Sequence, residues 1–445
     1  MRILLWHGYL LSGSGSNVYT ANVARQWRSQ GHHVVLMCQD RNAASLDFVD
    51  RTFIGARDWQ SVRDPGGGRC DVVVPDIGGL LPVYVYDDYE GFEVKTFPEL
   101  TDTELTRYTE LNLTAMVDVI EAFSPDAVIT GHEVMGPEIA RRACGETGRA
   151  YTAKLHGSAL EYAVKKQERY RRYAIDGLGA ARRVIGGSRY MVDEAARVIP
   201  GWEARSEVIN PGCDVGIFRP AAQRPHGPFH IGFVGKLIPS KGVHNLLVAV
   251  GLADLGDVKL TIVGYGGSEN DLEELAAALR GDDRPAVHRS LTTIGGAGSD
   301  VDDELVAASA AGIRRVDVEF PGRLEHDRLQ HVLPHFDVLV APSVLPEAFG
   351  MVVAEAAASG VLCIVPDHSG IGEAGRAVED AIAKPGLLRY DPRDPIRDLA
   401  TALRRVASFP ATERRELGLL AASLARTRWS WGHVADRLLQ VATSG

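Results

Sequence analysis

The sequence predicts an α/β protein made of two doubly wound units in series. Three observations predict it. Short, almost wholly apolar runs, the kind that form strands buried on both faces, alternate with segments of helical period. The alternation lapses after Asn210-Pro211-Gly212 and restarts beyond the polar, Pro-rich stretch Ala221 to Pro228, which reads as a linker. The chain has 445 residues, enough for two or three domains, and its 47 glycines suit many strand-to-helix turns.

The elements follow in order. Arg2 to Trp6 reads as a buried strand, Ser12 to Ser16 as a glycine-rich turn, Val18 to Ser29 as a helix and His33 to Met37 as the second strand. The stretch from Asp40 to about Gly68 lacks a clear period. Asp102 to Phe123 reads as a long helix, ended by Ser124-Pro125-Asp126. Strands follow at Ala127 to Thr130, Tyr151 to Leu155 and Arg183 to Ile185. The second alternation runs through strand His230 to Val234, helix Gly242 to Leu252, strand Lys259 to Val263 and helix Glu269 to Leu279. Strands Val316 to Phe320 and Val338 to Val340, a helix near Met351 to Ser359 and strand Val361 to Val365 complete it. Asp282 to Arg315, with Gly295-Gly296-Ala297-Gly298 and a short Ala-rich helix at Asp303 to Ala311, reads as an inserted, mobile loop. The last helix, Trp431 to Val441, is expected to cross back to the first unit. The domain reading is therefore 1–220 joined by 429–445, and 221–428. No repeat of solenoid length occurs.

Composition narrows the function classes. Hydrophobic residues make up 45% and charged residues 24%, ordinary for a soluble globular chain. The net charge of −10 argues against a nucleic-acid binder. Five cysteines, odd in number and without a CxxC pair, argue against a disulfide framework or zinc ribbon and fit a reducing, cytoplasmic setting. The apolar start is interrupted at His7-Gly8, too soon for a signal-peptide core, and no run reaches the roughly 18 apolar residues of a membrane span. The lone sequon Asn112-Leu113-Thr114 then carries no meaning.

Three motifs carry chemistry. Gly13-Ser14-Gly15 follows strand one, where glycines admit a ligand to the backbone and a helix N-terminus favours an anion. The third glycine of G-x-G-x-x-G is missing, since position 18 is Val, although Asp40 follows strand two. Next, strand Phe229 to Val234 runs into Gly235-Lys236-Leu237-Ile238-Pro239-Ser240-Lys241-Gly242. Its two lysines, five apart, suit a diphosphate; two solvated surface lysines are the plainer reading. Last, in Pro342 to Ala356, Glu347 lies in a loop, Gly350 turns the chain into a helix and Glu355 lies just inside that helix. Two carboxylates eight apart suit vicinal hydroxyls of a sugar and a ribose, with a phosphate at the helix start between them. A cap plus an ordinary helix acid, or the carboxylate pair of a glycoside hydrolase, are the competing readings.

Glu347-x7-Glu355, Gly235-Lys236-x4-Lys241-Gly242 and Asn210-Pro211-Gly212-x-Asp214 together resemble the retaining glycosyltransferases of family 4. Gln30-Gly31-His32-His33-Val34, Lys154-Leu155-His156-Gly157, Phe320-Pro321-Gly322 and Phe336-Asp337-Val338 leading to Pro342-Ser343 extend the resemblance over nearly the whole chain. It implies the GT-B fold, two Rossmann-like domains facing across a cleft, and transfer of a hexose-type sugar from a UDP- or GDP-type donor. By resemblance, Glu347 contacts donor-sugar hydroxyls and Glu355 the ribose. The backbone of Phe349, Gly350 and Met351 meets sugar and diphosphate. Lys236 and Lys241 neutralise the departing diphosphate, where the charge develops. The family usually has Arg in place of Lys236, which keeps the charge and loses the bidentate fork. His156 matches the cleft histidine near the reacting carbon, and Gly13 and Gly15 the loop that approaches the diphosphate and acceptor. The catalytic set is thus His156, Lys241 and Glu347, with no covalent nucleophile.

No cofactor and no metal are expected beyond the nucleotide sugar. Asp300-Val301-Asp302 spells DxD, but inside the presumed insertion; His132-Glu133 lacks the second His of HExxH, since position 136 is Gly. The acceptor is open: a small molecule, a glycan or a lipid-linked sugar. Tyr84-Val85-Tyr86-Asp87-Asp88-Tyr89-Glu90 could stack on a sugar or be an edge strand. Lys165, Lys166, Arg169, Arg171 and Arg172, interleaved with Tyr162, Tyr170 and Tyr173, could touch an anionic membrane or be a solvated helix face. An NAD(P)-dependent oxidoreductase and a non-catalytic sugar-nucleotide binder are the alternatives. A phosphorylase-like enzyme would need a lysine for pyridoxal phosphate, and none is signalled. The sequence gives no oligomeric state.

Overall fold

A computed structural model describes residues 1–55, 67–86, 89–222, 227–296 and 301–444. The chain divides into two compact units, Met1–Pro211 with Trp431–Gly445, and Gly212–Ser430. The division falls after Pro211, ahead of the 221–228 stretch read as linker, whose residues 223–226 lie outside the described residues. The physical reason is that Cys213 already belongs to the second unit. Its N–H donates to the Trp429 carbonyl at 2.7 Å, it pairs with Ser430 in a parallel bridge, and Phe218 is buried in that unit's core.

The first unit holds strands β1 (Arg2–Trp6), β2 (His33–Met37), β3 (Arg51–Ile54), β4 (Arg69–Val74), β5 (Leu80–Val83), β6 (Glu93–Thr96), β7 (Ala127–Gly131), β8 (Thr152–Lys154), β9 (Arg183–Gly186) and β10 (Ser206–Val208). Eight form one parallel sheet in the order β10-β9-β8-β7-β1-β2-β4-β3; β5 and β6 pair separately. The runs Ile3-Leu4-Leu5-Trp6 and His33-Val34-Val35-Leu36-Met37 are buried throughout, as strands covered on both faces must be. The helix expected from Val18 begins at Gly15, because Ser14 caps it by accepting the Asn17 N–H. Helix Asp102–Phe123 opens on a Thr101–Glu104 capping box. Strand β3 lies inside the aperiodic stretch after Asp40, and β4 directly follows it. Around Asp71 they carry a buried charge cluster that hides the apolar pattern: Arg51, Arg69 and His33 all bond its carboxylate. The closing helix, Trp431–Thr443, packs on helix Gly15–Ser29, where the Trp27 indole N–H donates to the Ala435 carbonyl at 3.0 Å.

The second unit holds β11 (Phe229–Val234), β12 (Val258–Val263), β13 (Val316–Gly322), β14 (Val338–Val340), β15 (Leu362–Pro366) and β16 (Arg389–Tyr390). All are parallel, in the order β13-β12-β11-β14-β15-β16. Read from the first strand of the unit, this is the dinucleotide-fold order 3-2-1-4-5-6, whose topological switch point lies between β11 and β14.

The expected mobile insertion is corrected. Its described residues form helices Arg284–Gly295 and Asp303–Ile313, and the second is part of the core. Val306 and Ile313 are buried. Its backbone touches helix Val243–Ala253: a Cβ at Gly312 would lie 2.0 Å from the Gly251 carbonyl oxygen, and one at Gly251 2.2 Å from that of Ser309. The Ala-rich helix read at Asp303 to Ala311 is present, and its small residues are what let two helix backbones meet. Residues 297–300, including Asp300 of the DxD triplet, lie outside the described residues.

Candidate functional site

In a doubly wound sheet, ligands bind beyond the carboxyl ends of the strands at the switch point. In the second unit those ends are Val234, leading to Gly235-Lys236, and Val340, leading to Ala341-Pro342-Ser343. Both lysines and both glutamates of the sequence reading lie on the segments that leave these two strands. Gly242 has φ +69°, and a Cβ there would come within 2.0 Å of the Pro342 carbonyl oxygen. The two segments are therefore in backbone contact. Val344 N–H donates to the Ser240 carbonyl at 2.8 Å, closing the contact further.

This junction brings Lys241 and Glu347 together. Lys241 Nζ donates to Glu347 Oε1 at 2.7 Å, and the Ser343 hydroxyl also bonds that oxygen. Lys236 is exposed at the end of β11 and has no ion pair among the described residues. Phe349 is buried, with its ring edge-on to Trp429 at 5.5 Å, so only its backbone is available to a ligand. Gly350, at φ +84°, starts helix Met351–Ala358; a Cβ there would meet Ile371 at 2.8 Å. The first amides of that helix receive no side-chain cap. Glu355 is buried one turn in. Burial raises the pKa of its carboxyl, while His326 acts in the opposite sense.

The first unit has its own switch point, between β1 and β7, and histidines cluster there. His7 follows β1, His132 follows β7 and His156 follows β8. Ring centroids lie 5.6 Å apart for His7–His132 and 4.8 Å for His132–His156. His7 is held by Asn17 Oδ1 at 2.8 Å and Thr20 Oγ1 at 3.2 Å, and Asn17 Nδ2 donates to the Ser12 carbonyl at 2.6 Å. His7 thereby braces the glycine loop. Gly13 has φ +93°, and a Cβ on Gly13 or Gly15 would touch nothing within 4 Å, so the space above the loop is open.

Burial drives all three imidazoles towards the neutral form: His7 is lowered to about 4 and His132 and His156 well below the usual value. Mutual repulsion adds to this at His132 and His156, and the Lys154 ammonium does so at His156. Lys154, buried beneath, is itself lowered to about 7 by burial, with Glu133 acting in the opposite sense. Glu133 was singled out in the sequence only beside His132, as an incomplete metal motif. Its Oε1 accepts the Gly157 N–H at 2.8 Å, so this buried acid anchors the loop that carries His156.

Asp302 caps helix Asp303–Ile313 by accepting the Leu305 N–H at 2.6 Å and pairs with Arg397 at 2.7 Å. Among the described residues no group of three or more His, Cys, Asp or Glu side chains is arranged to hold a metal. Tyr84 is core: its hydroxyl donates to the Val134 carbonyl and its ring stacks on Phe97 at 4.8 Å. Asp87 and Asp88 lie outside the described residues. The basic stretch is largely neutralised: Lys165 pairs with Glu161 and Glu194, Arg169 with Asp102, and Arg171 and Arg172 with Glu168. Among the described residues no helix is long and apolar enough to cross a membrane. Ser343 lies in the Pro342 to Ala356 motif, though without an assigned role; the residues that the sequence reading missed around Glu347 are His368 and Ser369, which no motif marks.

Both units are doubly wound, and the second carries a lysine–carboxylate pair on the segments that leave its switch point. A profile described as "Glycosyl transferase 4-like domain" matches residues 14–212, and one described as "Glycosyl transferases group 1" matches 215–386. The chain belongs to the glycosyltransferases of family 4 type, with the GT-B fold. It is 29% identical over 263 residues to glycogen synthase of Mycobacterium tuberculosis, covering 58% of this chain and 53% of that protein. It is 30% identical over 268 residues to D-inositol 3-phosphate glycosyltransferase of Mycolicibacterium vanbaalenii, covering 58% and 52%. The chain thus spans about half the length of the curated relatives it matches. The structure of HepE of Anabaena in complex with UDP superposes with a TM-score of 0.63 at 16% identity, covering 99% of both chains. Sucrose-phosphate synthase of Thermosynechococcus elongatus gives 0.58 at 17% identity, covering 99% of this chain and 98% of that one. At such identities the likeness is one of fold.

Proposed function

We propose that the protein is a retaining, metal-independent glycosyltransferase that moves a hexose-type sugar from a UDP- or GDP-sugar to a hydroxyl of a small molecule, glycan or lipid-linked acceptor. The observation that carries the reading is the Lys241–Glu347 pair at the β11/β14 switch point, beside a helix whose first amides are uncapped and whose first turn leads to buried Glu355. HepE, of like fold, has been crystallised with UDP-glucose, and the relatives similar in sequence are named as glycosyltransferases or glycogen synthases.

In this reading Glu347 takes sugar hydroxyls and Glu355 the ribose. Lys241 and Lys236, with the amides of Gly350 and Met351, bind the diphosphate and stabilise its charge as the bond to the anomeric carbon breaks. His156, held neutral at physiological pH chiefly by burial, presents an uncharged imidazole to the acceptor side. The departing phosphate oxygen takes the acceptor proton, so no protein nucleophile is required. Replacing Glu355 by Ala should weaken nucleoside diphosphate binding in calorimetry by roughly tenfold, the loss of one charged hydrogen-bonding partner. Affinity equal to wild type would remove Glu355 from the ribose site.

A further inference from the structure

The network around Glu347 extends to two residues at the start of helix Ser369–Ala381. Ser369 has φ +52°, a left-handed conformation that is strained for any residue but glycine. Glycine at 369 would satisfy the backbone; the serine adds a hydroxyl at a strained position. That hydroxyl oxygen accepts the Glu347 N–H at 3.0 Å. It also lies 2.9 Å from His368 Nδ1, while His368 Nε2 lies 3.0 Å from the Ser343 carbonyl oxygen.

Only one proton arrangement of a neutral ring satisfies all of these contacts. A carbonyl only accepts, so Nε2 carries the hydrogen and donates to Ser343. Nδ1 is then an acceptor and takes the Ser369 O–H, leaving the hydroxyl oxygen free to accept from Glu347. The Gly370 N–H donates to the Glu347 carbonyl at 2.9 Å. Residues 368–370 therefore grip the backbone of Glu347 on both its N–H and its C=O, and that of Ser343 on its C=O. Ser343 and Lys241 in turn hold the Glu347 carboxylate.

We propose that His368 and Ser369 are positioning residues that fix the Glu347 carboxylate against the donor sugar, and that the strain at Ser369 is retained for that purpose. The inference rests on the placement of Glu347 at the donor sugar proposed above. It predicts an opposition between stability and binding that a purely structural serine would not produce.

Calorimetry of the wild type with UDP-glucose and UDP, GDP-mannose and GDP, and ADP-glucose and ADP selects the pair that binds. Ser369→Gly, Ser369→Ala, His368→Ala, His368→Gln and Glu347→Gln are then titrated with that pair. Ser369→Gly, free of strain, should melt at or above the wild-type midpoint. It should nevertheless lose roughly two- to tenfold in affinity for the nucleotide sugar, the value of one hydrogen bond, and nothing for the diphosphate alone. Ser369→Ala should lose as much and also melt lower. His368→Gln, whose amide still donates to Ser343, should bind the sugar nucleotide better than His368→Ala. Wild-type affinities in Ser369→Gly beside a sugar-specific loss in Glu347→Gln overturn the positioning inference alone. Wild-type affinities in both, or no binding of any pair by the wild type, overturn it together with the donor-site reading.

Discussion

Removing the Lys241 ammonium separates its structural role from its proposed catalytic one. Its pair with Glu347 is short, 2.7 Å, but both side chains reach solvent, at 32% and 20% exposure. A partly solvated ion pair contributes at most about 1 kcal/mol to folding. That moves the melting midpoint of a unit of this size by about 2–4 °C. Glu347 keeps its Ser343 and Ser369 contacts in Lys241→Ala, so the loop has reason to hold its shape. The effect on chemistry should be far larger. A positioned charge facing a leaving group is worth about 10²–10³-fold in rate, or roughly 3–4 kcal/mol. Steady-state release of nucleoside diphosphate from the selected donor, paired with a thermal melt, measures both. A rate within threefold of wild type with an intact melt would refute the assignment of Lys241 to the departing diphosphate.

Two further predictions concern the fold. Lys154 is lowered from 10.5 to about 7 in the folded protein. Between those values the unfolded chain holds a proton that the native state lacks, so this group makes stability rise with pH there, by about 1.4 kcal/mol per unit. Urea unfolding of wild type and Lys154→Met at pH 7, 8, 9 and 10 should show the difference shifting steadily towards wild type; a constant difference would mean that Lys154 is not desolvated. Gly312→Ala should lower the melting midpoint, because a Cβ 2.0 Å from the Gly251 carbonyl forces two helices apart at a cost of about 1–3 kcal/mol, more than the roughly 1 kcal/mol gained in helix propensity. A higher midpoint would show that the crossing can relax.

The apolar strands were legible because strands covered on both faces can hold little else: Ala127 to Thr130 and Val338 to Val340 read directly as buried β structure. What was hidden was hidden for local reasons. Strand β4 carries Asp71 in its middle, tolerable only because Arg51, Arg69 and His33 converge on it from neighbouring residues. Helix Asp303–Ile313 was legible as a helix but not as part of the core, because its small residues serve to let a neighbour approach, and that role has no periodic signature. At the candidate site, Lys241, Glu347 and Glu355 were legible as motif residues. His368 and Ser369 were not, because their part depends on a left-handed backbone and on contacts 22 and 25 residues away in sequence.

The most direct measurement is calorimetric titration of the whole protein with UDP, GDP, ADP, their sugars and NAD(P), in EDTA and again with manganese. A metal-independent transferase should bind one nucleoside diphosphate and its sugar specifically in EDTA, unchanged by the metal. Binding of a nicotinamide nucleotide alone, or of a sugar nucleotide only when manganese is present, would contradict it.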